Sequence, residues 1–307
     1  MTATRPEVGA GVAPPPEGEA WTVLHLVRWS AEYLAGKGVE GGRLDAEHLL
    51  ADTLSTTRLQ LYLDFDRPLS PEELDRFRPR LLERGRRKPL QYILGHTAFR
   101  ELVLRTDARV LIPRPETEEL VECVLRWARA EPAPEGLRAL DLGTGSGAIA
   151  LSLAMEGAFR QVVATDVSDP ALDLARENAQ VTGLAERVEF RSGNLYGALT
   201  AGERFDVVVS NPPYISETDF SGLAPEVREW EPREALVAEE GGFALAFAVV
   251  DGAPGCLEVG GILALEVGEG QAARVADRIR GMPEFASPEI LRDLARRERI
   301  VTARRIG

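Results

Sequence analysis

The stretch Asp141-Leu142-Gly143-Thr144-Gly145-Ser146-Gly147-Ala148 decides the fold, because it joins a strand to a helix through a glycine-rich loop. Residues 138–142 have the apolar character of a buried strand, and a helix is predicted at about 147–156. Glycines let the backbone approach a ligand closely, and the N-terminus of the helix adds a positive dipole end. The stretch therefore predicts a ligand site where the strand meets the helix.

Strands and helices alternate on the C-terminal side of this loop. Further strands are predicted at residues 162–166, 188–191, 205–210, 262–267, 289–294 and 299–304. A helix capped by Asp169 and closed by Gly183 follows the second strand, and another helix is predicted at 271–280. Repeated βα units of this kind predict an α/β fold with an open, mainly parallel sheet and helices on both faces.

The rest of the chain is predicted to form three further segments. Residues 1–18 are rich in proline, glycine and alanine and lack an apolar h-region, so we expect a disordered tail and not a signal peptide. Residues 19–90 carry apolar residues at helical spacing, which predicts a helical domain of four or five helices. Residues 91–113 are predicted to form a linker β-hairpin around Thr106-Asp107-Ala108, and residues 114–307 form the α/β domain.

The α/β domain is predicted to begin with a helix at about 116–129, which Pro132-Ala133-Pro134-Glu135-Gly136 breaks. The segment 113–118, at the start of this helix, is predicted to form a wall of the ligand pocket. The alternative is that it forms only a helix start with an acidic first turn.

The composition limits the classes of partner. The net charge is −13, so non-specific affinity for nucleic-acid backbones is not expected. Cys123 and Cys256 have no metal or redox spacing and the three histidines are scattered, so we predict no metal site and a reduced, cytoplasmic protein. The best candidate for a membrane span, residues 243–267, is interrupted by charges, proline and glycines. A basic run of six arginines and Lys88 at 76–88 is interpreted as a solvated helix face, and the alternative is a contact with a partner protein or nearby RNA.

The glycine loop alone leaves two cofactor classes open. Asp166 ends the next strand at a distance that suits ribose hydroxyls. The pattern Gly143-x-Gly145-x-x-Ala148 fits a nicotinamide cofactor as well as S-adenosylmethionine. Asp141 favours the second, because an acid there would pair with an amino-acid ammonium but repel a pyrophosphate. The alternative for both acids is a strand-end cap.

The tetrapeptide Asn211-Pro212-Pro213-Tyr214 follows the buried strand at 205–210. Prolines have no backbone N–H, so this turn presents acceptors: the Asn211 side-chain oxygen and the proline carbonyls. It also lies at the carboxyl end of its strand, where ligands of open α/β sheets bind. An acceptor rim suits a substrate –NH2 group. With the cofactor loop, it predicts methyl transfer to an amine or amide; the alternative is a plain turn.

The chain resembles the peptide chain release factor glutamine methyltransferases, the HemK/PrmC family. The resemblance covers nearly the whole chain after about residue 20. Three segments are specific to that family: Leu44-Asp45-Ala46-Glu47-His48-Leu49-Leu50, Lys88-Pro89-Leu90-Gln91-Tyr92-Ile93-Leu94-Gly95 and Leu111-Ile112-Pro113-Arg114-Pro115-Glu116-Thr117-Glu118. The motifs at 141–147, 165–168, 210–214, 265–268 and 293–294 also match, but the glycine loop is generic to class I methyltransferases and the NPPY tetrapeptide is shared with amino-methylating DNA enzymes.

This resemblance implies a class I, Rossmann-like, seven-stranded methyltransferase domain behind a helical domain that recognises release factors. It implies S-adenosylmethionine as methyl donor, with S-adenosylhomocysteine as product. The implied substrate is the glutamine of the Gly-Gly-Gln (GGQ) motif of class I release factors, methylated on its side-chain nitrogen.

The resemblance also implies roles for individual residues. The predicted catalytic and substrate-binding residues are Asn211, Pro212, Pro213 and Tyr214, with Tyr214 packing beside the substrate amide. The predicted cofactor-binding residues are Asp141, Gly143, Thr144, Gly145, Ser146, Gly147, Asp166, Asn194, Leu195 and Asn211. One departure concerns the adenine site, where many relatives have an acid and an aromatic. Here Asn194 is expected to bond the adenine amine and Leu195 to pack on the ring. The alternative for Asn194 is a turn-forming residue.

Three other functions remain open from the sequence. An amino-methyltransferase acting on adenine or cytosine could use the same rim for a flipped base, but the acidic charge and the lack of an obvious target-recognition domain disfavour it. A nicotinamide oxidoreductase leaves the acceptor rim unexplained. A cofactor-binding module without catalysis would be expected to lose Asn211.

Overall fold

The structure, a computed structural model, describes residues 20–131 and 135–307. The predicted tail at 1–18 and the Pro132–Pro134 part of the predicted helix break lie outside the described residues. The chain divides into two compact units after Gly95, which places the hairpin in the second unit. The domain boundaries predicted at residues 90 and 113 remain predictions. No helix in the described part of the chain has the length and hydropathy of a membrane span.

The first unit contains five α-helices among its described residues, as the sequence predicted. They are α1 (Val23–Gly36), α2 (Gly42–Thr53), α3 (Arg58–Leu63), α4 (Pro71–Gly85) and α5 (Leu90–Leu94). The start of α4 shows how the sequence sets a helix boundary: Ser70 Oγ accepts from Glu73 N, and the Glu73 carboxylate accepts from Ser70 N. This reciprocal pair satisfies two backbone donors that would otherwise lack partners.

The buried stripe of α4 includes a charged residue. Phe77, Leu81 and Arg84 lie at helical spacing and all three are buried. Arg84 Nε donates to Asp45 Oδ2 of α2 at 2.7 Å. The interpretation of the basic run as a solvated face is therefore wrong for Arg84, because its position in the helical repeat matters more than its charge.

Glu47 ties α2 to α3. Its side chain is only 4% exposed, and it accepts hydrogen bonds from Arg43, Arg58 and Tyr62 at 3.0, 2.7 and 2.9 Å. Burial pushes the pKa of Glu47 up, but the bonds from Arg58, Arg43 and Tyr62 outweigh burial and hold the pKa below its usual 4.5. The ionised carboxylate is therefore part of the folded structure.

Glu47→Gln is expected to lower the local stability of α2 and α3 by about 1–3 kcal/mol at neutral pH, because charge-assisted hydrogen bonds are lost. A depressed pKa contributes stability above its unfolded value and loses it as pH falls through the folded value. The difference from wild type should therefore shrink below pH 4.5. Hydrogen exchange of α2 and α3 peptides in the full chain measures it. Glu40→Gln, at an exposed site, is the control; an equal difference at neutral and acidic pH would contradict the assignment.

The second unit is built on a seven-stranded sheet, with a separate two-stranded hairpin. The hairpin strands are β1 (His96–Phe99) and β2 (Leu102–Arg105). The sheet strands are β3 (Leu137–Leu142), β4 (Phe159–Asp166), β5 (Val188–Ser192), β6 (Phe205–Ser210), β7 (Leu257–Glu266), β8 (Glu289–Arg292) and β9 (Glu298–Arg304). Their spatial order is β5-β4-β3-β6-β7-β9-β8, with β9 antiparallel to both neighbours and the other pairs parallel. The predicted open, mainly parallel sheet is confirmed.

Helices cover both faces of this sheet. The longer helices are α6 (Pro115–Ala130), α7 (Ala148–Glu156), α8 (Asp169–Val181), α12 (Ala244–Gly252) and α13 (Ala272–Arg280), and the short ones are α9 (Glu217–Phe220), α10 (Pro225–Arg228) and α11 (Glu239–Gly242). Successive residues of β3 belong to different apolar clusters: Ala139 packs with α6 and α7, and Leu140 packs with α12 and α13. A strand buried on both faces reads as a continuous apolar run.

Two local predictions are wrong. The hairpin turn is Arg100-Glu101, not residues 106–108. Neither residue is typical of turns, and Arg100 takes a positive φ of 49°, held by hydrogen bonds to the carboxylates of Glu122 and Glu156. The N-cap of α8 is Ser168 and not Asp169, because the Ser168 hydroxyl accepts from Ala171 N.

Candidate active site

One cavity lies at the carboxyl ends of the central strands. Most of the predicted site residues line it, coming from the carboxyl ends of four strands and the loops that follow them: Gly143, Thr144, Gly145, Ser146, Asp166, Asn194, Leu195, Asn211, Pro212 and Pro213. Pro113, Arg114 and Thr117 also line it, as predicted for the segment 113–118, which is at the same time the start of α6. Asp141, Gly147 and Tyr214 do not lie on its wall. The topology thus brings together most of the residues that the sequence singled out.

The glycines of the loop have different positions. Gly143 and Gly145 have φ of +73° and +55°, and a Cβ at either would meet no atom within 4 Å. Their backbone therefore faces open space on the cavity wall, which allows the close approach of a ligand. Gly147 is the N-cap of α7, and a Cβ there would lie 3.1 Å from Leu151 Cδ1. Its position favours helix packing over ligand contact.

Asp141 is fully buried behind this loop. Its Oδ2 accepts from Thr144 Oγ1 at 2.6 Å and from Ala150 N at 3.2 Å. Its Oδ1 has no hydrogen-bond partner among the described residues, and burial raises the pKa of Asp141 to about 7. This position matches the alternative of a strand-end cap more closely than a contact with an ammonium, and the predicted ammonium contact remains a prediction.

Asp166 joins the ends of two loops at the cavity wall. Its Oδ2 accepts from Gly145 N and its Oδ1 from Ser168 N, both at 2.9 Å. Burial raises the pKa of Asp166, and the backbone donors oppose that shift. A carboxylate has about four acceptor sites, so each oxygen keeps a lone pair for a ligand hydroxyl.

The predicted adenine region follows β5. Asn194 is exposed and Leu195 is half-buried, with a positive φ of 47° that is unusual for a leucine. The nearby aromatic, Tyr196, packs with the core instead, and its hydroxyl donates to Val249 O at 2.5 Å. The wall at this point therefore consists of an amide and an aliphatic side chain.

Asn211 is held by a chain of hydrogen bonds that the sequence did not reveal. Its Nδ2 donates to Thr117 Oγ1 at 3.0 Å, and Thr117 Oγ1 donates to Glu266 Oε2 at 2.7 Å. Glu266 is 1% exposed, and burial raises its pKa to about 7, against the bond from Thr117. Because Nδ2 is engaged, Oδ1 is the end of the Asn211 amide that a ligand can use. No group of three or more His, Cys, Asp or Glu within 20–131 and 135–307 could hold a metal ion.

The carbonyl of Tyr214, at the end of the same turn, is held by the side chain of Gln271. Gln271 Nε2 donates to Tyr214 O at 2.8 Å, and Gln271 Oε1 accepts from Gly268 N at 3.0 Å. Gly242 has φ of +90°, and a Cβ there would lie 2.2 Å from Tyr214 O. Only a glycine fits at 242 while the turn after β6 keeps this position.

The segment after the NPPY turn returns to the same cavity. Ile215 N donates to Leu236 O and Ala238 N donates to Ile215 O, so the two ends of the segment 215–238 are hydrogen-bonded to each other. Pro232, Glu234 and Ala235 from this segment line the cavity. Sequence reasoning missed these residues, since no motif there marks a ligand site.

A buried acid in this segment, Glu231, is hydrogen-bonded to the residues that precede α6. Glu231 accepts from Ile112 N at 3.1 Å and from Arg114 Nη2 at 2.5 Å. Burial raises the pKa of Glu231, and the charge of Arg114 opposes the shift. The Glu231 carboxylate thereby joins the residues before α6 to the segment 215–238.

Comparisons with known proteins agree with this architecture. Residues 25–95 match the PrmC N-terminal domain, and residues 127–225 match the methyltransferase small domain. A methyltransferase from Pyrococcus furiosus is similar in structure, with a TM-score of 0.51 and 18% identity over 67% of this chain and 90% of that one. This likeness supports the class I methyltransferase fold of the second unit.

Two relatives cover most of the chain. The release factor glutamine methyltransferase of Geobacter sulfurreducens is 44% identical over 84% of this chain and 88% of its own length. That of Chlorobaculum tepidum is 40% identical over 92% of this chain and 97% of its own. With identity of this level spanning both units, the chain belongs to the release factor glutamine methyltransferase family.

Proposed function

We propose that this protein transfers a methyl group from S-adenosylmethionine to the side-chain amide nitrogen of the GGQ glutamine in class I release factors. One observation carries the proposal: the same cavity is lined by a glycine loop, by Asp166 and by Asn211. Asp166 is placed to accept from ribose hydroxyls, and the Asn211 amide is held through its nitrogen, so its oxygen can accept from a substrate. The names of the relatives support the choice of substrate.

The residues present fit S-adenosylmethionine. Asp166 offers acceptors for the two ribose hydroxyls, and the open backbone at Gly143 and Gly145 admits the ligand closely. Asn194 and Leu195 are proposed to contact the adenine. When bound, S-adenosylmethionine supplies an electrophilic methyl group and leaves as S-adenosylhomocysteine.

The acceptor rim is proposed to hold the substrate amide. The Asn211 Oδ1 and the Pro212 carbonyl would each accept one amide hydrogen, with Pro213 and Tyr214 completing the turn. A carboxamide nitrogen is a poor nucleophile, but it becomes acidic as it gains the methyl group, so no strong base is needed before transfer. The nitrogen then releases its extra proton to solvent water. The two acceptors stabilise the positive charge that develops on nitrogen. Positioning two substrates in line can supply up to roughly 7–11 kcal/mol of the barrier.

Asp166→Asn is expected to weaken S-adenosylhomocysteine binding by about 10–100-fold, because a charge-assisted hydrogen bond to the ribose is worth about 1.5–3 kcal/mol. Calorimetric titration measures the dissociation constant. Asp169→Asn removes the same charge at an exposed site three residues away and should bind as wild type does. Equal affinities for all three proteins would exclude the ribose contact.

Incubation with radiolabelled S-adenosylmethionine tests the function. Label should pass to a purified release factor and not to a variant whose GGQ glutamine is replaced. Transfer to DNA or RNA would instead support the amino-methyltransferase alternative. Binding of S-adenosylmethionine without transfer to either would support a cofactor-binding module.

The helical unit is proposed to recognise the release factor, in the cytoplasm where termination takes place. Its match to the PrmC N-terminal domain supports this role. Hydrogen exchange in α1–α5 that does not respond to saturating release factor would contradict it.

A further inference from the structure

We infer that Thr117 and Glu266 are positioning residues that fix which end of the Asn211 amide faces the substrate. The inference rests on the proposed function and concerns how its acceptor rim is kept in the productive state. The three side chains form one directed chain, from Asn211 Nδ2 to Thr117 Oγ1 to Glu266 Oε2. They come from three separate elements: the turn after β6, the first turn of α6 and the end of β7.

The orientation of this amide matters because its two ends have opposite character. An asparagine has an acceptor oxygen and a donor –NH2 of nearly the same shape, so rotation by half a turn exchanges them at little steric cost. The substrate –NH2 is a donor. In the reversed orientation, the Asn211 –NH2 would face the substrate –NH2, and the hydrogen bond that aims the nitrogen would be lost.

Glu266 gives the chain its direction. An ionised carboxylate only accepts, so the Thr117 hydroxyl must donate its single proton to Glu266. The Thr117 oxygen is then available to Asn211 as an acceptor alone, and it selects the –NH2 end. A neutral Glu266 could donate to Thr117 instead, and Thr117 could then donate to the Asn211 oxygen, which is the reversed orientation.

The charge state of Glu266 depends on several neighbours. Arg299 of β9 and Arg114 before α6 favour its ionised form, and Glu116 of α6 opposes it. The Tyr214 phenol also faces it, with a pKa that burial raises, so it stays neutral. With a pKa of about 7, Glu266 is ionised above neutral pH, and the reversed orientation becomes available as pH falls through that value.

Two replacements of Thr117 distinguish the effect of its hydroxyl from the effect of its side-chain shape. Thr117→Val keeps the shape and should lower kcat for release-factor methylation by about 10–100-fold, by analogy with the loss seen when an outer hydrogen-bond partner of a metal ligand is removed. Thr117→Ser retains the hydroxyl and should restore kcat to near wild type. Affinity for S-adenosylhomocysteine should stay close to wild type in both. The thermal midpoint of the valine variant should fall, because the buried Glu266 carboxylate loses its hydrogen bond, so kcat is compared at a temperature at which both variants are folded. Equal kcat for the valine and serine variants would overturn the inference.

The pH profile tests Glu266 directly. Wild-type kcat should fall below pH 7 while the thermal midpoint does not, and Glu266→Gln should remove that dependence. This variant is needed because Asp141 has a similar pKa and could produce the same profile. If the pH profile of kcat is unchanged in Glu266→Gln, another group causes the pH dependence and the role inferred for Glu266 is wrong. Should wild type transfer no label to release factor, the proposed function fails and the inference falls with it. Wild-type transfer with Thr117→Val at full kcat defeats the inference alone.

Discussion

Asn211→Ala is expected to reduce kcat for methyl transfer by about 10²–10³-fold, the loss typical of removing one preorganised hydrogen-bonding group that stabilises developing charge. The alanine leaves the substrate amide with the Pro212 carbonyl as its only proposed acceptor. It also leaves Thr117 without the –NH2 group that it holds. Steady-state assays with labelled S-adenosylmethionine and release factor measure the effect.

The effect should be confined to turnover. Affinity for S-adenosylhomocysteine is expected to change much less than kcat, because the cofactor loop and Asp166 are untouched, although Asn211 is also a predicted cofactor contact. Asn194→Ala, which removes an exposed amide on the same cavity wall, is the matched control and should affect cofactor affinity but not saturated kcat. An Asn211→Ala protein that turns over at close to the wild-type rate would rule out the acceptor rim as the substrate site.

Gly242→Ala is expected to damage both the fold of the turn and its activity. The new Cβ would lie 2.2 Å from Tyr214 O and 2.9 Å from Gln271 Nε2, and the first of these atoms belongs to the backbone. Relief requires movement of the NPPY turn and weakens the bond between Gln271 and Tyr214. Overpacking of about 1–3 kcal/mol and a left-handed non-glycine residue of about 1–2 kcal/mol together predict a loss of about 2–5 kcal/mol. A misplacement of about 1 Å in the turn would lower kcat by about 10²-fold.

Gly241→Ala separates the steric clash from the cost of a left-handed backbone conformation. Gly241 also has a positive φ, +70°, but a Cβ there would meet no atom within 4 Å. Its alanine variant should therefore show only the conformational cost, with kcat near wild type. Denaturant unfolding and kcat of the two variants, compared side by side, measure the clash alone. Equal losses for the two variants would mean that the contact with Tyr214 is unimportant.

The elements that sequence could predict are those with local causes. The strand at 205–210 and the helix at 271–280 follow from runs of apolar residues and from periodicity, and both are found within a residue of their predicted bounds. Asn211 was identified from the chemistry of its own turn. The convergence of the loops then follows from parallel strands, whose carboxyl ends meet at one edge of the sheet.

Contacts between distant parts of the chain could not be predicted. Thr117 and Glu266 lie within segments that marked the resemblance, but Thr117 is separated by 94 residues from Asn211 and by 149 from Glu266. The turn at Arg100 is likewise set by acids on α6 and α7.

The double hydrogen bond of Gln271 restricts how this position can change in evolution. Its side chain accepts from a backbone N–H and donates to a backbone carbonyl at the same time. A glutamate of the same length would set an acceptor against the Tyr214 carbonyl, and a lysine could not accept from Gly268. Tolerance to mutation should therefore be low at a residue that does not line the cavity, because two loops depend on one amide.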